Sequence, residues 1–399
     1  MAILSINAGS SSIKFALYPV ENGKVGSATW TGDVQGLQPG GKPVMRSGDV
    51  QQPPVAIALN ADDESAFSVA LARIDHEVQL RGRSLQAVAH RIVHGGAQFA
   101  QSIRITARIL EELEKLSALA PLHQPHNLEG VRKFASYFPD IPQIACFDTG
   151  FHQTMSAVEK RLALPRSLSE QGIRRYGFHG LSYRYVMQML QKSTDRSQGR
   201  VVMAHLGNGS SVCAAYQGAS VATSMGYSAL DGLMMGTRCG SLDPGVLLDL
   251  LRQGWSRTDL ETLLYKQSGL LGVSGLSADM RTLRTCDQPE AQQAIDLYTY
   301  RLRKEMGGLI ALLQGIDVLA FTGGIGEHDA VIRCEVVQSM QWLGCHLDQD
   351  KNLAACGQSI QSIHAQNSTV EIWVVPTDEG RIAAQDAVRI ISAASDPHE

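Results

Sequence analysis

The stretch Ser5-Ile-Asn-Ala-Gly-Ser-Ser-Ser-Ile-Lys-Phe-Ala-Leu-Tyr18 joins a short apolar run to an alternating one through a small, polar loop. In an alternating strand, residues two apart share a face, so Ser10, Ser12 and Lys14 are expected to project together from the end of that loop. A Gly-Ser turn lets backbone N–H groups approach an anion closely, while the hydroxyls and the ammonium add donors. The loop therefore reads as a phosphate cradle, with a serine-rich hairpin turn of no chemical consequence as the alternative. Leu206 to Ala215, LGNGSSVCAA, nearly repeats it: Gly209-Ser210-Ser211 stands where Gly9-Ser10-Ser11 stands in the first copy. Two such strand–loop–strand units predict duplicated domains gripping a polyphosphate from opposite sides. A third Gly-rich turn, Phe321 to Glu327, again follows an apolar run and is expected to leave room for a base or ribose. The chain has no GxxxxGK[ST], and GGIGEHD lacks the third glycine of a dinucleotide fingerprint, so neither a P-loop nor a Rossmann reading survives.

Working outward, the runs AILSINA, AVAHRIVHGG, QIACFDTG, VVMAHLGNG, DVLAFTGGIG and EIWVVPTDE read as strands whose C-terminal ends carry small or polar groups. Between them lie helix-period segments, such as Leu128, Val131, Phe134 and Phe138, and the stretch from Ala291 to Leu313 closed by Gly315. Strands alternating with helices predict an α/β architecture. Residues 21–84 carry turn pairs, Asn22-Gly23 and Pro39-Gly40-Gly41, and are expected to form hairpins and loops. With 399 residues, two domains are expected. The boundary is placed near Gly150: residues 1–150 form the first domain, residues 151–380 the second, and 381–399 return to the first. A net charge of −4 offers no global attraction to nucleic acid or to an anionic membrane. The N-terminal residues lack a basic segment followed by a long apolar one, and no apolar run reaches about 20 residues, so neither a signal peptide nor a span is expected. Seven cysteines without CxxC spacing suggest reduced thiols and a cytoplasmic protein.

The motifs NAGSSSIKF, HRIVHGG, APLH, FDTGFHQTM, RRYGFHG, HLGNGSS, TSMG, MGTRCGSLDPG, SGLLG, FTGGIGE and VPTDE follow one another in this order. Together they closely resemble the acetate kinase family, within the superfamily of sugar kinases, actin and heat-shock chaperones. The resemblance runs from Ile3 to about Ala387 and is weakest over residues 20–85 and 345–370. It implies two duplicated actin-like, ribonuclease H-like domains with a central cleft. It also implies reversible phosphoryl transfer from ATP to a short-chain carboxylate, giving an acyl phosphate and ADP, with Mg²⁺ (Mn²⁺ as an alternative) and a homodimer.

Such transfer needs alignment and charge neutralisation more than covalent help. Arg91 and Arg238 match the family's two active-site arginines, whose planar, always charged forks suit carboxylate and phosphoryl oxygens; a surface salt bridge is the alternative for each. His179, in YGFHG, matches the transition-state histidine. His123, in APLH, matches a supporting substrate-site group or is a structural histidine at a helix end. His90 and His94 flank Arg91, but no cysteine or acidic cluster supplies the further ligands a zinc site needs. Asp148 ends an apolar run, where an unpaired carboxylate is costly, so a cation is expected beside it; the resemblance puts it at the reaction centre. Because an acceptor carboxylate is already ionised near neutral pH, no general base is required.

The resemblance further selects Asn7 and Glu379 for magnesium, and Val93, Leu122 and Phe178 for the acyl methyl. For the nucleotide it selects Lys14, with the loop serines Ser10 and Ser12, then His205, Leu206, Gly207, Asn208 and Gly209, then Asp279, Met280 and Arg281, and Gly324, Ile325, Gly326 and Glu327. Four departures stand out: Ala229 replaces a proline in SALDG, which implies a wider acyl pocket; GTSH becomes Gly180-Leu-Ser-Tyr183; GIGEN ends in His328; and an acidic pair becomes Glu379-Gly380. The rival readings are a propionate or butyrate kinase, since one methylene is worth only about 1–3 kcal/mol in a pocket, and an actin- or chaperone-type conformational ATPase. Domain closure around the ligands is a further expectation.

Overall fold

The computed structural model describes residues 1–9, 12–37, 42–49, 55–58, 66–121 and 123–393. Ser10 and Leu122, selected from the sequence, lie outside the described residues. The chain divides into two compact units: Met1–Gly150 with the chain from Asp378 onward, and Phe151–Thr377.

The first unit is built on a sheet of β1 (Ala2–Ala8), β2 (Ser12–Glu21), β3 (Lys24–Val25), β4 (Trp30–Gln35), β5 (Val44–Asp49), β6 (Val55–Ala58), β7 (Leu85–Ile92), β8 (Ile103–Arg104) and β9 (Gln143–Phe147). The spatial order is β6-β5-β4-β2-β1-β7-β9-β8, with β3 paired to β2. Pairs β1/β2, β2/β4 and β8/β9 are antiparallel, whereas β1/β7 and β7/β9 are parallel.

The second unit holds β10 (Arg200–His205), β11 (Ser211–Tyr216), β12 (Ala219–Thr223), β13 (Val318–Thr322), β14 (Gln361–Ser362) and β15 (Glu371–Val374), in the order β12-β11-β10-β13-β15-β14. Strand for strand, β10, β11, β12, β13, β15 and β14 repeat β1, β2, β4, β7, β9 and β8, direction included. The duplication read from two short loops therefore extends to six strands of each sheet.

In the second unit the central strands are apolar over residues 201–204 and 318–321 because both of their faces are covered. In β10, Val202 and Ala204 join one buried cluster and Val201 and Met203 another, and in β13 Leu319 and Phe321 separate from Val318 and Ala320 in the same way. Helix Pro289–Leu313 supplies Ile295, Tyr298, Leu302 and Met306 to the first of these clusters. In the first unit, Leu4, Ile6 and Val88 face one side of the sheet with Phe134 of helix Gln124–Tyr137. Ser5, Asn7 and Arg91 alternate onto the other side. There the C-terminal helix Glu379–Ala393 packs on β1 and β7.

Three sequence expectations are corrected. Residues 21–84 were expected as hairpins and loops. Asn22 and Gly23 do form a turn, with φ of 51° and 71°, and β4, β5 and β6 continue β2 as the expected antiparallel hairpins, but residues 66–80 form a helix that buries Leu71, Ile74 and Val78 along one stripe. Pro39-Gly40-Gly41 lies outside the described residues. Helix Pro289–Leu313 is closed by Gln314, at φ 59°, rather than by Gly315. The Gly-rich turn after β13 is itself a short helix, Gly323–His328.

Gly380 has a steric reason. A Cβ there would lie 2.5 Å from the Tyr18 hydroxyl, which donates to Asp378 Oδ1, the oxygen that also accepts the Arg381 N–H at the start of the C-terminal helix. Gly380→Ala is expected to lose about 1–3 kcal/mol in denaturant unfolding, the usual cost of overpacking. Adding Tyr18→Phe should recover part of that loss in a double-mutant cycle; a Gly380→Ala chain as stable as the parent would contradict this packing.

Candidate active site

Strand register assembles the first cluster. Asn7 stands opposite Lys14 across β1/β2, and Ile6 pairs with His90 across β1/β7, bringing Arg91 beside Asn7. Arg91 in turn pairs with Cys146 across β7/β9, and the chain runs one residue past β9 to Asp148, whose N–H donates to the Ile92 carbonyl at 3.1 Å. Asp148 is buried. Arg91 grips it bidentately: Nε donates to Oδ1 at 2.9 Å and Nη2 donates to Oδ2. Arg91 Nη1 donates to Asn7 Oδ1 at 3.4 Å, and Glu379 Oε2 lies 3.5 Å from Nε. Burial works against the Arg91 charge, but Asp148 and Glu379 outweigh it and push its pKa above the ordinary arginine value.

The backbone that carries these groups is clamped by side chains the sequence reading passed over. Asn127 accepts from the Val93 N–H at 3.0 Å and donates to the Ala8 carbonyl at 2.6 Å. Gln124 accepts from the His94 N–H and donates to the His94 carbonyl. Thr149 Oγ1 accepts from the Gly95 N–H at 3.1 Å. Val93 is buried, and His123 is the N-cap residue of helix Gln124–Tyr137.

The flanking histidines do structural work. His90 is buried, bonded to Gln143 Oε1 at 2.7 Å, and set edge-on against Phe134. His94 Nδ1 accepts from the Gly96 N–H at 2.9 Å. Among the described residues, no three or more His, Cys, Asp or Glu side chains are grouped so that they could hold a metal ion.

The second unit carries another cluster, at the ends of β10 and β11. His179 has a left-handed backbone, φ 58°, at the N-terminus of helix Gly180–Ser193. Such strain in a non-glycine residue persists only where neighbours impose it. Here buried His152 bonds the Phe178 carbonyl through Nε2 at 2.9 Å and Ser220 through Nδ1 at 2.8 Å, and a Cβ on Gly177 would lie 2.6 Å from the His152 ring. The His179 ring stacks on His205 at 4.2 Å between centroids. A Cβ on Gly209 would lie 3.3 Å from His179 Nε2 and 3.7 Å from Arg238 Nη1, so the three positions converge, with glycine leaving the space open. Arg238 Nη1 donates to the Ala229 carbonyl at 3.1 Å. The departure at Ala229 thus falls on a residue whose backbone holds Arg238.

The other nucleotide-candidate segments group around the same strand ends. The Leu206 carbonyl accepts from the Ile325 and Gly326 N–H groups, which ties the loop after β10 to the Gly-rich helix after β13. Glu327 Oε1 accepts from the N–H groups of Gly323 at 2.8 Å and Thr377 at 3.0 Å. The Asn208 carbonyl accepts from the Gly236 N–H at 3.1 Å. Met280 is buried in the core, while Asp279 and Arg281 pair with each other at the surface. Beneath the Gly-rich helix, the wholly buried Arg333 donates to the carbonyls of Gly326 and Glu327, both at 2.9 Å, and to Asn352 and Ala355. Burial pushes its pKa down to about 10.

An arginine held on a buried carboxylate at the strand ends of one sheet, and a histidine–arginine pair above a glycine loop at the matching ends of its duplicate, define a class: a phosphotransferase built on two related α/β domains. The sequence profile of the acetokinase family matches residues 2–385. The chain is 45% identical to an acetate kinase of Rhodopseudomonas palustris, over 97% of this chain and 98% of that one. It is 43% identical to a propionate kinase of Yersinia enterocolitica, over 97% and 95%. The crystal structure of Porphyromonas gingivalis acetate kinase superposes with a TM-score of 0.87 at 34% identity, covering 98% of this chain and 99% of that one. The chain belongs to the acetokinase family.

The buried histidines set an acid limit on stability. Burial lowers the pKa of His90 and of His152 from 6.5 to about 4. The unfolded rings take up protons below about 6.5 while the native rings stay neutral until near 4, so stability falls as pH drops through that window. Each ring contributes up to about 1.4 kcal/mol per pH unit. Denaturant midpoints measured between pH 7 and 4 should fall less steeply in His90→Gln; an unchanged slope would show that His90 is not held neutral.

Proposed function

We propose that the protein is an acetate kinase: it transfers the terminal phosphoryl group of ATP to acetate, reversibly and directly in line, giving acetyl phosphate and ADP. Membership of the acetokinase family supports the reaction. The observation that carries the reading at residue level is Arg91, fixed by two bonds to buried Asp148 at the edge of a polar cluster. In this proposal Arg91 binds the acceptor carboxylate, with Val93, Leu122, His123 and Phe178 around the acyl group. Arg238 and His179 neutralise charge on the transferring phosphoryl group. Asp148 orients Arg91 and takes no proton, since acetate is already ionised near neutral pH.

The nucleotide is assigned to Lys14, Ser10 and Ser12, His205 to Gly209, Asp279 to Arg281 and Gly324 to Glu327. Magnesium favours hard oxygen donors and keeps several waters. Asn7 Oδ1 and the Glu379 carboxylate, 3.4 and 3.5 Å from Arg91, meet that requirement and would hold it; when bound, it neutralises phosphate charge. A homodimer is also proposed. Helix Pro244–Arg252 buries none of its residues, and its exposed Leu248 and Leu251, three residues apart, share an apolar face that a second copy would cover. Seven free cysteines support a reducing compartment, the cytoplasm. Among the described residues, no helix is long and apolar enough to cross a membrane.

The test is hydroxylamine trapping of acyl phosphate from ATP and Mg²⁺, with acetate, propionate and butyrate supplied separately. Acetate should give the highest kcat/KM; a maximum at propionate would keep the chemistry and change the substrate. In the same assay Arg91→Ala and Arg238→Ala should each lower kcat by roughly 10³-fold, as for other transition-state arginines. Near-normal turnover in either folded variant would remove that arginine from the chemistry.

A further inference from the structure

His179 can act on a phosphoryl oxygen only if its outward nitrogen carries the proton, and in neutral imidazole that is decided by what the other nitrogen meets. Its Nδ1 meets Ser211 Oγ at 2.9 Å. Ser211 Oγ is also bonded to the hydroxyl of Tyr183. Ser211 and Tyr183 are both fully buried, so water does not compete for these bonds.

The direction of the chain of donors follows from the chemistry. A phenol is a better donor than an aliphatic hydroxyl, and burial of Tyr183 holds its proton on the oxygen. Tyr183 therefore donates to Ser211. Ser211 has one proton and, among the described residues, no other acceptor, so it donates to His179 Nδ1. The His179 proton is left on Nε2, the atom that faces the space above Gly209 beside Arg238.

A second relay of the same form serves the stacked ring. Thr377 Oγ1 donates to Ser182 Oγ at 2.8 Å, and Ser182 Oγ lies 2.8 Å from His205 Nδ1. Its single proton goes to that nitrogen. Ser182 and Tyr183 are adjacent on helix Gly180–Ser193, so one turn of helix sets both rings.

We infer that Tyr183 and Ser211 are positioning residues that lock His179 in the Nε2–H tautomer, making it a hydrogen-bond donor to the transferring phosphoryl group and denying it the lone pair of a nucleophile. The inference deepens the functional reading given above and rests on the role of His179 within it. It also gives a use to the sequence departure at Tyr183. A phenol keeps its proton throughout the neutral range, and burial raises the Tyr183 pKa further.

The experiment is a long-range ¹H–¹⁵N spectrum of the full chain labelled with ¹⁵N-histidine, without substrate, with the His179 signals assigned by their loss in His179→Asn. The wild type should show His179 protonated on Nε2 alone. Tyr183→Phe and Ser211→Ala should each give a mixture of tautomers. In the hydroxamate assay both should lower kcat by about three- to tenfold, the worth of one hydrogen bond, with KM for acetate and ATP within about twofold. A merely structural lesion would instead move KM and leave the tautomer alone. Wild-type His179 protonated on Nδ1, an unchanged tautomer in Ser211→Ala, or a changed tautomer with full kcat would each overturn the lock. If His179→Asn itself turned over normally, the donor role of His179 would fall, and this consequence with it, whatever the spectrum showed.

Discussion

The contact on which the first unit depends is the two-point bond between Arg91 and Asp148. A carboxylate buried at the end of β9 would be expelled or protonated without a fixed cation. An arginine at the end of β7 would otherwise sample many rotamers. Each removes the other's freedom, and the parallel register of β1, β7 and β9 delivers both to the same edge of the sheet. Asn7 and Lys14 arrive by the antiparallel register of β1 and β2. Glu379 arrives because the C-terminal helix begins beside these strand ends, capped by Asp378. Three connected pieces of chain are thereby committed to one small set of charges.

The duplicated sheet solves a related problem with different chemistry. The matching strand ends carry stacked imidazoles, hydroxyl relays and a glycine loop. Two cations side by side would repel, whereas neutral rings with fixed tautomers can offer donors at short range without that cost. The strain at His179 is held by His152 and by the close approach of Gly177. The Gly-rich helix after β13 is held from below by Arg333, whose hydrogen bonds go to carbonyl oxygens and so add no opposing charge.

Much of this was legible in the sequence because the signals were local. Buried central strands need unbroken apolar runs, and turns that approach an anion need glycine and serine, so AILSINAGSSS and VVMAHLGNGSS announced both the sheets and their duplication. The need for a cation beside Asp148 followed from its place after QIACF. What escaped was set by partners distant in sequence. Gln124 and Asn127 look like ordinary helix polar residues until the loops they clamp are in place. Ser211, Ser182 and Thr377 are single hydroxyls whose value lies in what they touch. Tyr183 was visible as a departure from a motif, but its use needed the position of Ser211. Helix 66–80 was missed because the Gly- and Pro-rich segment before it drew the whole region toward loops, although Leu71, Ile74 and Val78 carried the stripe.

The central claim is that the protein aligns two substrates and donates hydrogen bonds without accepting the phosphoryl group itself. It is tested most directly with ATP made chiral at the terminal phosphorus by oxygen isotopes, by reading the configuration of the acetyl phosphate formed in one turnover. Inversion is predicted, because a single in-line transfer leaves no place for a protein nucleophile. Retention would require a phosphorylated side chain on the path, with the ring of His179 as the first suspect, and would contradict both the direct transfer and the tautomer assigned to that ring.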